Sequence, residues 1–221
     1  MDHDLKIVIW NVRGLNARAR RTAICSLIVT SGASIVCLQE TKMALICSSV
    51  VLEALGSEFD EYVYLLADDT RGGILLAWKS RVVTITNPEF TTHTLSAQVT
   101  PPSSQHPPWW LSIVYGPQLD DEKIEFLREL RDLRASCPGP WMLCGDFNLI
   151  YRDEDKNNNN LDRHMMRRFK HLLNDLALKE VYLNGRRYTW SSEHSPPTLV
   201  HLDLIINPQF IGPRYLLSTA L

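Results

Sequence analysis

A carboxylate and a carboxamide stand two residues apart in Gly145-Asp146-Phe147-Asn148, directly after the apolar run Trp141 to Cys144. The run reads as a buried strand. On an extended backbone, residues i and i+2 face the same way. Asp146 and Asn148 are therefore expected to leave one strand end pointing into one pocket. A carboxylate there can take a proton from a water, and an amide can orient the water or the substrate. The pair alone fits an ordinary strand-to-turn junction equally well, since Asp and Asn are common there. The decision rests on what other strands bring to the same place.

Polar residues recur where other apolar runs stop. Residues 5–10 (LKIVIW) end at Asn11, followed by the turn Val12-Arg13-Gly14-Leu15. Residues 34–39 (SIVCLQ) run into Glu40-Thr41-Lys42, and 109–115 (WWLSIVY) close on Tyr115 before Gly116-Pro117. Asp203 lies inside the apolar stretch 200–206 (VHLDLII), where a lone acid is costly to bury unless paired. His201 sits two residues before it, on the same face of a continuous strand, and reads as structural or phosphate-contacting.

The intervening elements must position these residues. A helix is expected over 17–31, capped by Asn16, stopped by Gly32 and carrying Ile24, Leu27, Ile28 and Ser31 on one stripe. Its first turns display Arg18, Arg20 and Arg21, a basic rim close to Asn11. Strand, helix, strand favours parallel pairing with a right-handed crossover, and ligands sit at the C-terminal ends of such strands. A second helix is expected over 44–55. Strands follow over 60–67 and 72–78, joined by a turn at 68–71, and then over 81–86 and 91–100. Short connections make this middle third antiparallel. The four prolines of 101–108 forbid regular structure there.

A helix over 120–134 presents Ile124, Leu127, Leu130 and Leu133, and one over 161–176 presents Met165, Met166, Phe169, Leu172, Leu173 and Leu176. Both should lie outside the sheets, with Arg128 and Lys170 more exposed than Leu127 and Phe169. Short strands are read over 179–183, 188–191 and 199–206. The expected architecture is one domain over 1–221, an α/β sandwich of two packed mixed sheets flanked by helices.

Composition narrows the classes. A net charge of −2 gives no global positive field, so any nucleic-acid site is local. No apolar run approaches the roughly 20 residues of a membrane helix. Five cysteines without a C-x-x-C pair indicate neither a zinc knuckle nor a disulfide framework. Met1-Asp2-His3-Asp4 runs straight into a strand pattern without signal-peptide character. The expectation is an intracellular protein, nuclear or cytoplasmic, and not a secreted or membrane one.

Taken in order, Trp10-Asn11-Val12-Arg13-Gly14-Leu15, Leu38-Gln39-Glu40-Thr41-Lys42, Val114-Tyr115-Gly116-Pro117, Gly145-Asp146-Phe147-Asn148 and Leu202-Asp203 resemble the motifs of the endonuclease/exonuclease/phosphatase superfamily. Arg71-Gly72-Gly73-Ile74, Asp155-Lys156-Asn157-Asn158 and Gly185-Arg186-Arg187-Tyr188-Thr189-Trp190-Ser191 resemble the endonuclease domain of plant LINE-type (non-LTR) retrotransposons. The resemblance spans nearly the whole chain. It implies a four-layer α/β sandwich and divalent-metal phosphodiester hydrolysis on DNA, with Mg²⁺ or Mn²⁺ as cofactor and a reverse transcriptase domain in the parent polyprotein.

Carried over position by position, the resemblance makes Glu40 the metal ligand, with Asn11 touching the metal-bound phosphate or its water. Tyr115 would donate to a phosphate oxygen, and Asp146 would orient or deprotonate the attacking water with Asn148 holding it. Asp203 would orient a histidine. Arg13, Arg18, Lys42 and Thr189 are candidate nucleic-acid contacts. Two departures accompany the match. Arg13 stands where many repair-type relatives carry an acid. The closing Ser-Asp-His strand of the family is absent, because neither Asp nor His follows Asp203. A chain lacking that last strand would leave a sheet edge open and turn over poorly. Two alternatives follow: a non-catalytic retrotransposon-derived remnant, or a small-molecule phosphoesterase of the same fold.

Overall fold

The computed structural model describes residues 5–67, 72–102, 106–181, 187–208 and 216–219. The expected turn at 68–71, Gly185-Arg186 and most of the 179–183 strand beyond Val181 lie outside the described residues. Thirteen strands are seen among the described residues: β1 (Lys6–Asn11), β2 (Ile35–Gln39), β3 (Glu61–Leu65), β4 (Ile74–Trp78), β5 (Thr84–Phe90), β6 (Thr94–Thr100), β7 (Trp109–Tyr115), β8 (Trp141–Asp146), β9 (Leu178–Glu180), β10 (Trp190–Ser191), β11 (Leu199–Val200), β12 (Asp203–Pro208) and β13 (Leu216–Thr219). The α-helices are α1 (Arg18–Ser31), α2 (Ser48–Leu55), α3 (Asp120–Ser136) and α4 (Arg163–Asp175).

Two mixed sheets pack face to face between two helical layers, giving the four-layer α/β sandwich. One sheet has the order β13-β1-β2-β4-β3 and the other β5-β6-β7-β8-β12-β9, while β10 and β11 form a separate ribbon. In β1 the side chains alternate between two cores. Ile7 and Ile9 join the inter-sheet core with Cys37, Leu76, Ile113 and Cys144, whereas Val8 joins Ile24 and Ile28 of α1 and Val51 of α2. On the other side, Phe126 and Leu130 of α3 and Phe169 and Leu172 of α4 cover Val114, Leu143 and Leu204. A strand buried on both faces reads as a continuous apolar run rather than an alternating one, which is the pattern of WWLSIVY and WMLC.

The two outer helices keep the expected period. Leu127 and Phe169 are buried, and Arg128 and Lys170 are exposed. Elsewhere the structure corrects the sequence reading. Asn16 does not cap α1: its Nδ2 donates to Lys42 O at 2.9 Å, and Ala17 occupies the cap position without a side-chain bond. Leu27 of the expected α1 stripe is exposed. The second helix starts at Ser48 rather than at 44.

The strand expected over 81–86 begins at Thr84 and runs through Asn87-Pro88 to Phe90, with a bulge between Thr86 and Glu89. Proline is tolerated there because β5 is an edge strand. The single strand expected over 199–206 is two, broken at His201-Leu202. β13 pairs in parallel with β1, from Lys6↔Leu216 to Ile9↔Thr219, and stands at that edge of the sheet.

Candidate active site

The ends of β1, β2, β7 and β8 meet at one rim of the sandwich, because β1 runs parallel to β2 and β7 parallel to β8. Asp146 lies at the centre and is buried. Its Oδ2 accepts from Asn11 Nδ2 at 3.0 Å, a bond that crosses from one sheet to the other. Its Oδ1 accepts from the backbone N–H of Asn148 at 3.0 Å. Asn148 Nδ2 donates to Gly116 O at 2.7 Å, which fixes the amide plane. Tyr115 is the parallel neighbour of Asp146, and Asp203 is its antiparallel partner across β12.

Glu40 approaches from the other sheet. A side chain on Gly72 would place its Cβ 2.9 Å from Glu40 Cα and Cγ and 3.0 Å from Tyr115 Cε1. Glu40 and Tyr115 therefore close over the backbone of Gly72, and only glycine fits between them. A second glycine, Gly145, is equally constrained: it has φ 127°, and a Cβ there would meet Val114 O at 2.2 Å. Asn11, Glu40, Tyr115, Asp146, Asn148 and Asp203 thus lie near one another at this rim, the candidate cleft.

Six described non-glycine residues have left-handed backbone, and four of them border this cleft: Arg13 (φ 51°), Glu40 (φ 55°), Lys42 (φ 53°) and Asn148 (φ 49°). Each such residue costs about 1–2 kcal/mol relative to ordinary backbone. Backbone bonds hold the geometry. Gly14 N donates to Glu40 O at 2.7 Å, Leu15 N to Thr41 O at 2.8 Å and Lys42 N to Gly72 O at 2.7 Å. Strain of this kind concentrates where a structure over-determines a functional geometry.

The electrostatics follow from crowding three carboxylates. Burial, then the charge of Asp203, pushes the Asp146 carboxyl up to about 7, although the bonds from Asn148 and Asn11 oppose the rise. Asp203 is also raised, first by burial and also by Glu40, with Thr189, His201 and Arg13 opposing. Burial and the charges of Glu40 and Asp146 push the Tyr115 phenol up to about 12, so it remains a donor at neutral pH. Lys42 Nζ stands 2.7 Å from Glu40 Oε1.

The candidate nucleic-acid contacts divide. Arg13, Arg18 and Arg20 are exposed. Arg20 Nη1 also donates to Val12 O at 3.1 Å and to Arg13 O at 2.6 Å, and Arg21, half-buried, bonds Leu15 O, Asn16 O and Glu53. Thr189 lies under the site, where its Oγ1 accepts from the backbone N–H groups of Leu202 and Asp203 at 3.0 and 3.1 Å.

His201, read as structural or phosphate-contacting, takes a structural place. Its Nε2 is 2.8 Å from Glu180 Oε1. Sequence reasoning missed Glu180 altogether. The signal was indirect: a histidine inside an apolar stretch needs a polar partner, but nothing marks a residue 21 positions away as that partner.

Among the described residues no three His, Cys, Asp or Glu side chains come close enough to form a closed metal cage. The donor set nevertheless fits a hard cation that keeps most of its waters, as Mg²⁺ does when one or two carboxylates and a phosphate hold it. One or two of the rim carboxylates with a side-chain amide oxygen would be donors of that kind.

The four-layer α/β sandwich has a counterpart in the sequence. Residues 8–210 match the Endonuclease/Exonuclease/phosphatase family, and the chain belongs to it. No curated protein sequence matches significantly. Among solved structures the fold is similar to the AP endonuclease LMAP from Leishmania major, with TM-score 0.71 and 16% identity, covering 93% of this chain and 79% of that one. It is similar to the 3′ phosphatase NExo from Neisseria bound to product DNA hairpin, with TM-score 0.66 and 19% identity, covering 93% and 87%. It is also similar to the endonuclease domain of TRAS1, a telomere-specific non-LTR retrotransposon, with TM-score 0.64 and 12% identity, covering 93% and 85%. No helix of the described residues is long and apolar enough to cross a membrane.

Proposed function

We propose that this chain hydrolyses phosphodiester bonds in DNA with Mg²⁺ or Mn²⁺ as cofactor, as an endonuclease of the retrotransposon type. In that setting it would nick one strand beside a reverse transcriptase domain. The observation that carries the reading is Asp146: a buried carboxylate at a strand end, gripped by Asn11 and Asn148, facing Asp203 and pushed up to about 7. A base with proton affinity near the working pH is well matched to activating a water.

Glu40 would hold the cation, with Asn11 at the phosphate or its water; the cation would supply charge for the phosphoryl oxygens and the leaving oxyanion. Asp146 accepts the proton of the attacking water. The Asn148 amide, fixed by Gly116 O, orients that water. Tyr115, still protonated, donates to a phosphate oxygen. Asp203 keeps Asp146 proton-hungry by like-charge repulsion. Exposed Arg13 and Arg18 contact flanking phosphates, and Lys42, freed from Glu40 when the cation binds, joins them.

A second reading, a nucleic-acid-binding remnant without turnover, is favoured by His201. That histidine, two residues before Asp203, is held by Glu180 at 2.8 Å. Nicking of supercoiled plasmid with Mg²⁺, beside Asp146→Ala, separates the two. Metal-dependent nicking lost in Asp146→Ala supports the endonuclease. Metal-dependent DNA binding with no nicking by either protein supports the remnant. Cleavage of soluble phosphoesters alone would refute both.

A further inference from the structure

Behind the cleft, three chain segments are tied together by charged and polar side chains to which the proposed chemistry gives no task. Glu180, at the end of β9, has a side chain only 3% exposed. Its Oε1 is 2.8 Å from His201 Nε2, and its Oε2 accepts from the Tyr151 hydroxyl at 2.6 Å, with Arg152 Nη2 at 3.4 Å. Asp155, also buried, accepts at Oδ2 from the backbone N–H of Arg152 at 3.0 Å. The backbone N–H of His201 donates to Asp155 O at 2.8 Å. Burial works against charge on both partners. The Glu180 bond and charge outweigh it and raise His201, while bonds from His201 and Tyr151 lower Glu180. Glu180 therefore favours the protonated form of His201, and the pair also faces Arg152, Asp155 and Asp203.

The placement of this pair bears directly on the site. His201 lies two residues before Asp203, in the break between β11 and β12. Tyr151 lies three residues after Asn148. After the break Asp203 pairs with Asp146 across β12 and β8, whereas before it β11 pairs with β10 in a separate ribbon. Inside the break, Leu202 O accepts from Phe147 N at 3.0 Å. A buried ion pair is weak evidence for stability, and one of its attested uses is to select a single conformation among competitors. Without a fixed His201 the break loses an anchor, and the bonds that hold Leu202 and Asp203 beside it, from Phe147 N to Leu202 O and from both backbone N–H groups to Thr189 Oγ1, are free to loosen.

We propose that Glu180 and His201, with Tyr151, form a buried clasp that positions Asp203 and Asn148 around Asp146, making Glu180 and His201 positioning residues of the site. This rests on the endonuclease reading only for its kinetic consequence; the geometric consequence is independent of turnover.

The test compares wild type, Glu180→Gln, His201→Gln and the double variant, with Tyr151→Phe as a milder change should the others fold poorly. In plasmid nicking with Mg²⁺, each single variant is expected to lose about 10–100-fold in kcat with KM nearly unchanged, the scale of a slightly misplaced reacting group. The double variant should be no worse than the singles, since one clasp is lost once. Amide hydrogen exchange supplies the readout that needs no catalysis. Phe147, Leu202 and Asp203 should exchange at least about tenfold faster in Glu180→Gln, while Ile9 and Val36 in the far sheet keep wild-type rates. Unchanged exchange at the three site amides, or equal acceleration everywhere, overturns the clasp. A wild-type protein that never nicks, yet shows the selective acceleration, refutes the endonuclease reading and leaves the clasp standing.

Discussion

Asp146→Asn should make this protein more stable at pH 8 and inactive. The carboxyl sits at about 7 in the folded protein against an ordinary 3.8, raised first by burial and then by Asp203. A raised folded-state value means that the proton itself stabilises the native state. That contribution is fully present below about pH 4, declines as the pH rises, and is gone above about 7. The interval corresponds to about 4 kcal/mol. Asparagine at 146 is neutral throughout and escapes the ionisation penalty. It also brings an NH₂ group where Asn11 Nδ2 now donates at 3.0 Å. Two donors then face each other unless Asn11 rotates, a loss of about 1–2 kcal/mol. The net expectation at pH 8 is a gain of about 2–3 kcal/mol. For a chain of this size that is a Tm increase of about 4–12 °C.

At pH 5 the wild-type carboxyl is largely protonated, so the gain disappears and the donor clash leaves the variant equal or slightly less stable. Calorimetry at the two pH values, in buffer with EDTA, reads the difference directly. A Tm difference independent of pH, or a variant less stable at pH 8, would refute the claim that Asp146 is held as an unfavourable buried charge. A rise in stability with complete loss of nicking would mark the residue as one kept for function at a cost to the fold.

Three further outcomes are expected. Glu40→Gln should abolish the Mg²⁺- or Mn²⁺-dependent rise in Tm that the wild type shows at millimolar metal; an unchanged metal response would remove Glu40 as the ligand. Gly72→Ala should cut nicking by about 10²-fold, because its Cβ would press on Glu40 and Tyr115 within 3.0 Å; wild-type kcat in that variant would show that the contact yields freely. Arg18→Ala, in the Asp146→Asn background, should lower the slope of log binding constant against log salt for a duplex oligonucleotide by about 1, and an unchanged slope would place the DNA path elsewhere.

The elements that carry the site were legible because each is a short apolar run ending in a polar residue. That signature survives without knowledge of the fold: LKIVIW before Asn11, WWLSIV before Tyr115 and WMLCG before Asp146 are strands buried on both faces. The outer helices α3 and α4 were legible for a related reason, since an apolar stripe every three to four residues has one reading. Local capping and turn chemistry were less so. Asn16 has the right chemistry to cap α1, yet Lys42 O, 26 residues away, takes its amide. Tertiary competition for one donor cannot be seen in a linear pattern.

The same limit explains what the sequence concealed within the site. Nothing in the letters of Glu40 or Asn148 announces left-handed backbone, which each adopts because loops from several strands must close over one rim. Arg18, Arg20 and Arg21 looked equivalent, and only the fold shows that Arg20 and Arg21 bond carbonyls of the β1–α1 loop. A continuous strand over 199–206 was the natural reading of VHLDLII, and it pointed His201 and Asp203 the same way. Glu180, Asp155 and Thr189, which bond the residues on either side of the break, are spread over 34 positions of the chain. The catalytic candidates thus occupy places that local sequence defines, whereas their orientations are set by long-range hydrogen bonds. A variant that spares every candidate residue, such as Glu180→Gln, should for that reason be able to silence the site.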